Sequence, residues 1–167
     1  MLRVLQNIVS FILLTLVQVL ILNNVQFLGF INPYIYILFI LMLPARMPRW
    51  SVLILGFIQG IVIDTFSNTL GMHTFSTVLI AYARSYVIQL FISIDEGNNP
   101  VPSFYSFGVG AYVKYVISLV LIHHISLFII EAFNFTSIWI VTLKAIFSSI
   151  ISILIILGIS SMNKKIK

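Results

Sequence analysis

Residues 56–64 read Gly56-Phe57-Ile58-Gln59-Gly60-Ile61-Val62-Ile63-Asp64. Gly56, Gly60 and Asp64 are four apart, so they share one face of a helix whose remaining surface is almost wholly apolar. Two glycines at that spacing let a second helix approach closely, the packing chemistry of membrane bundles. This stretch therefore predicts a lipid-embedded helix with a candidate helix-packing or partner face, crowned by a carboxylate. A plainer reading of Asp64 is that it ends the span at the outer headgroup region.

The rest of the chain agrees with a lipid solvent. Of 167 residues, 60% are hydrophobic and 8% are charged, against roughly 25% charged in soluble domains. So few charges cannot cover a soluble surface. A helix needs about 20 residues to cross the hydrocarbon core, which leaves room for about six spans and no second domain. The expected fold is all-α, one integral membrane domain over residues 1–167. The absence of cysteine excludes thiolate chemistry and disulfides. The net charge of +5 comes from basic residues scattered along an apolar chain, which excludes a nucleic-acid surface.

Six runs emerge, at about 4–22, 29–43, 51–64, 71–92, 104–130 and 138–159. The first is too long for a signal-peptide core and leads into no small-x-small cleavage site, so it reads as an uncleaved span. The second opens at Asn32-Pro33, read as cap and first helical residue, and closes at Pro44. The fourth is ambiguous, because Arg84 interrupts it. Either it continues to about Ile94, or it ends near Arg84 and the remainder lies along the interface.

Arg3, Arg46, Arg49, Arg84, Lys164, Lys165 and Lys167 fall on or near one side when six spans are drawn with both termini inside. The three outer connections carry no Lys or Arg. By the positive-inside rule both termini are expected to be cytoplasmic.

A charge within a span costs about 2.5–3.5 kcal/mol on insertion scales, so each one needs an account. Lys144, near the start of the sixth run, is expected to snorkel outward with Asp64 or Glu131 as partner, and coupling to Asp64 is one expectation. Lys114, counted from Phe104, lies too deep for that and is expected to face the bundle interior or another protein. His123 and His124 are adjacent and about 100° apart on a helix, so they are expected to make separate polar contacts rather than to share a metal. No catalytic motif is present, and neither a cofactor nor an enzymatic activity is expected.

The order of Asn32-Pro33, Pro44, the glycine ladder ending at Asp64, Gly71 and then Ala81-Tyr82-Ala83-Arg84 resembles the rod shape-determining MreD family. The resemblance implies a six-span, non-enzymatic component of the bacterial cytoplasmic membrane within the cell-elongation machinery. It implies partners as well: an MreC-like bitopic protein, a wall-synthesis polymerase and transpeptidase, and MreB filaments indirectly. That family is similar in fold to the substrate-binding S-components of energy-coupling-factor transporters, so a small-molecule-binding transport subunit is the alternative. S-components commonly dock through an Ala-x-x-x-Ala face in the first span, and residues 4–22 contain no alanine.

Overall fold

The computed structural model describes residues 2–25, 31–94, 97–132 and 138–162, and these fold as helices with no β-strand. The helices are α1 (Leu2–Leu20), α2 (Leu38–Leu41), α3 (Arg49–Ser67), α4 (Met72–Phe91), α5 (Phe104–Phe107), α6 (Val109–Ala132) and α7 (Ile138–Met162). Four stretches are long and apolar enough to cross a membrane: Val4–Asn24, Arg49–Ser67, Val109–Ala132 and Ile138–Met162. Helix α4 has the length, but His73, Ser76, Thr77 and Arg84 on its buried side make it less apolar than these four.

The outer surface is unlike that of a water-soluble bundle, and polar side chains join the apolar core. Val4, Leu5, Ile8, Val9, Ile12, Leu13 and Leu16 of α1 are all half exposed or more, as are Phe57 of α3 and Leu154 of α7. Gln18, Gln59, Arg84, His123, His124, Ser148 and Ser152 are buried. Apolar outside and hydrogen-bonded polar inside is the arrangement a hydrocarbon solvent imposes.

Helix α3 packs on α4, α4 on α6, α6 on α7, and α1 on α3. The α3–α4 corner is closed by Asn68 in the left-handed conformation, φ 54°, whose N–H donates to the Asp64 carbonyl. Gly71 follows at φ 82°, a conformation that glycine adopts without penalty. Helix α4 then runs unbroken through Arg84 to Phe91, so the helix does not end near Arg84. The expected fifth run is divided: Gly108, φ 76°, separates the short α5 from α6.

The second run departs most from expectation. Of its residues, 31–37 are not helical and only Leu38–Leu41 form a short helix, while 26–30 lie outside the described residues. Pro33 disfavours helical geometry at Asn32, and Tyr34-Ile35-Tyr36-Ile37 is an aromatic and β-branched alternation suited to extended chain. Every residue from Tyr34 to Leu41 is buried. The segment threads the middle of the bundle, where non-helical backbone is tolerated because protein, not lipid, surrounds it.

Candidate functional site

An extended strand of chain inside a bundle must find partners for its own N–H and C=O groups, and here the surrounding helices supply them through side chains. From α1, Gln18 accepts from the Ile35 N–H at 2.9 Å and donates to the Pro33 carbonyl at 3.1 Å. From α7, Ser148 accepts from the Asn32 N–H at 3.2 Å and Ser152 from the Tyr34 N–H at 2.9 Å. Gln59 of α3 donates to the Tyr36 carbonyl at 2.8 Å, and Tyr115 of α6 donates to the Leu41 carbonyl at 2.9 Å. Arg84 of α4 donates to the Leu43 carbonyl, and its Nε donates to the Tyr115 hydroxyl at 3.1 Å. Five helices are thereby tied to one central segment.

Tyr36 carries this network into a histidine cluster. Its hydroxyl lies 2.7 Å from His123 Nε2 and 3.0 Å from His73 Nδ1. His123 Nδ1 is buried without a partner, and a bare lone pair is cheaper to bury than an unpaired N–H. The consistent assignment has His123 Nε2–H donating to Tyr36 and the Tyr36 O–H donating to His73. His124 turns the other way. Its Nδ1–H donates to the Val120 carbonyl at 2.9 Å, and its Nε2 accepts from Ser152 at 3.1 Å. The adjacent histidines thus serve separate contacts, and among the described residues no group of three His, Cys, Asp or Glu side chains is placed to hold a metal.

Helix α4 fills the glycine face. An ideal Cβ on Gly60 would meet Thr74 Cα, and one on Gly56 would meet Ala81 Cβ at 3.1 Å. No room remains there for a helix from another protein, so this face is internal packing and partner docking on it is excluded sterically. Asp64 is likewise turned inward, where it receives the His73 N–H at 3.0 Å, the Thr74 N–H at 2.8 Å and the Thr69 and Thr74 hydroxyls, both at 2.5 Å. It caps the first turn of α4 from the end of α3, and its charge opposes the positive end of that helix dipole. Gly71 stands apart from the packing face, with open space where a Cβ would sit, and contributes only its backbone conformation.

Lys144 pairs with Glu131 at 2.9 Å, both side chains about one-quarter exposed. The coupling to Asp64 therefore gives way to the other partner. Lys114 is exposed, with its ammonium 5.9 Å from the centre of the Phe91 ring. Gly108 also starts α6 late, which leaves Lys114 about five residues, roughly 8 Å, from the helix end and within reach of the surface. It joins Arg46 and Arg49 at the same end of the bundle.

At the opposite end a crevice of about 400 Å³ is lined by Asn23, Asn32, Tyr34, Ser67, Thr69, His73 and Glu131, among others. His73 links it to the Tyr36 cluster. Gln18, Gln59, Tyr36, Tyr115, Ser148 and Ser152 are central here and were not singled out by motif. Their signal is a lone amide or a four-residue serine repeat inside an apolar run. Comparison with protein-family models, with curated proteins and with solved structures finds no match to this chain.

Proposed function

We propose that this chain is a non-enzymatic membrane scaffold of the MreD kind in the bacterial cytoplasmic membrane. It crosses six times, by α1, the central segment, α3, α4, α6 and α7, with both termini cytoplasmic. It holds an MreC-like bitopic protein together with a wall-synthesis polymerase and transpeptidase, and MreB filaments through them.

One observation carries this reading. Six residues of the resemblance are members of a single structural device: Asn32 and Pro33 open the central segment, Gly56 and Gly60 seat α4, Asp64 caps it, and Arg84 holds the segment's far end at Leu43. Nothing in that device presents a nucleophile or an acid–base pair to a substrate. The bundle centre is filled by chain, as a rigid docking body requires and a ligand-enclosing subunit does not. The alternative transport reading draws its support from the polar crevice beside His73.

Since the glycine face is filled, partners meet the outer faces, and photo-crosslinkers at Phe57 and Ile61 of α3 or at Val9 and Leu13 of α1 sample them. Crosslinking in native membranes is expected to recover a bitopic wall-elongation protein and its synthases. Recovery of paired ATPases and a coupling subunit instead would replace the scaffold with transport.

A further inference from the structure

At the basic end, a pocket of about 420 Å³ lies between the turn at residues 44–49 and the last turns of α4. We infer that this pocket binds the phosphate headgroup of an anionic phospholipid. Arg46, Met47, Arg49, Ser85, Gln89 and Ile92 are among its walls. The inference rests on the chain being embedded with this end at the cytoplasmic surface, and not on any protein partner.

The pocket combines features that a phosphodiester needs. Arg49 is exposed, its guanidinium stacked 4.9 Å above the Tyr86 ring, with one N–H donated to the Tyr86 hydroxyl at 3.4 Å. This contact orients a planar fork of donors suited to phosphate oxygens. Arg46 is held in the wall by its bond to the Ile94 carbonyl at 3.1 Å. Helix α3, 19 residues long, begins at Arg49 and directs the positive end of its dipole at the same turn. On the facing wall the Ser85 hydroxyl is buried with no hydrogen-bond partner.

A lipid, rather than a free anion, fits the surroundings. Met47, Ile88 and Ile92 make part of the wall apolar, and exposed Ile54 and Ile58, four apart on α3, continue an apolar surface away from this end for acyl chains. Trp50 and Tyr86, 67% and 47% exposed, are the residues that sit at headgroup depth. Basic pockets between helices on the cytoplasmic side are where anionic headgroups are held.

The test is native mass spectrometry of the full chain extracted from phosphatidylcholine vesicles containing a minor share of phosphatidylglycerol. The wild type is expected to retain phosphatidylglycerol selectively, and Arg49→Gln to lower that retention roughly tenfold, the loss of one charge-assisted contact set. Lys114→Gln removes the same charge from the same end and is expected to leave retention unchanged. Equal losses in the two variants would reduce the effect to surface potential and overturn the site. Absence of selectivity, or displacement of the lipid by inorganic phosphate, would overturn it too. If Arg49→Gln fails to fold, Arg49→Lys keeps the charge without the fork and is expected to retain an intermediate amount, with wild-type retention counting against the site. The chain has no cysteine, so a single Val101→Cys reports orientation separately. Labelling from outside would refute the orientation, whatever the lipid result.

Discussion

Gly60→Ala adds one methyl group at the closest approach of α3 and α4. Its Cβ would lie 2.3 Å from Thr74 Cα and 2.9 Å from Thr74 N, whereas ordinary contact begins at 3.4 Å. The obstacle is backbone and cannot swing aside, so the first turn of α4 has to retreat by about 1 Å, an overpacking that costs about 1–3 kcal/mol. That retreat stretches the 2.8 Å bond from the Thr74 N–H to Asp64, and a hydrogen bond to a charged group is worth about 1.5–3 kcal/mol. Against these stands the gain of about 1 kcal/mol from replacing a helical glycine by alanine. The net expectation is a loss of about 1.5–5 kcal/mol. Gly56→Ala is the control, since its Cβ meets Ala81 Cβ at 3.1 Å and the Thr77 carbonyl at 3.2 Å and needs only a few tenths of an ångström. There the helix gain offsets the crowding, and the change is expected to stay within about 0.5 kcal/mol of zero. Both are measured by reversible unfolding in mixed micelles followed by circular dichroism. A Gly60→Ala protein as stable as the wild type, or equal losses at the two positions, would refute the argument. Combining Gly60→Ala with Asp64→Ala is expected to cost less than the sum, because the first change already breaks the cap.

Gln18→Leu strands two groups of the central segment, the Pro33 carbonyl and the Ile35 N–H, whereas Gln59→Leu strands none, because the Tyr36 carbonyl keeps the Phe39 N–H at 3.1 Å. At about 1–3 kcal/mol per buried unpaired group, Gln18→Leu is expected to cost more than Gln59→Leu by about 2 kcal/mol or more in the same unfolding assay, and equal costs would count against the tie network. Arg84→Lys keeps the charge but cannot reach both the Leu43 carbonyl and the Tyr115 hydroxyl. A loss of about 1.5–3 kcal/mol is expected, and unchanged stability would show that the fork is dispensable. For the partly exposed pair of Lys144 and Glu131, a double-mutant cycle with Lys144→Met and Glu131→Gln is expected to give a coupling of up to about 1 kcal/mol. The cycle of Lys144→Met with Asp64→Asn is expected to be additive within about 0.5 kcal/mol, and the reverse ranking would contradict the pairing.

The helices themselves were largely legible in the chain. Runs 51–64 and 138–159 sit inside α3 and α7, and run 71–92 matches α4 within a residue at each end. Gly108 interrupts the run from 104, and counting depth from Phe104 is what puts Lys114 too deep to snorkel and leaves the bundle interior or another protein as its surroundings. Run 29–43 misled for a different reason. Hydropathy reports that a segment avoids water, and it is blind to whether lipid or protein replaces the water. Likewise the glycine ladder was legible as a close-packing face, but spacing along one helix says nothing about which helix occupies it.

What the sequence by itself determined was the class: apolar helices compatible with a multi-pass membrane protein. Sparse charge on an apolar chain allows only a bundle with its polar groups inside, and clustered arginines mark one end. What only the tertiary structure decided was the use of those interior polar groups. Gln18, Gln59, Arg84, Tyr115, Ser148 and Ser152 are spread over 135 positions of the sequence, and their common target is one stretch of backbone. No local pattern encodes that convergence, because the demand for hydrogen bonds arises only once residues 31–43, largely non-helical, are threaded inside the bundle, out of reach of water.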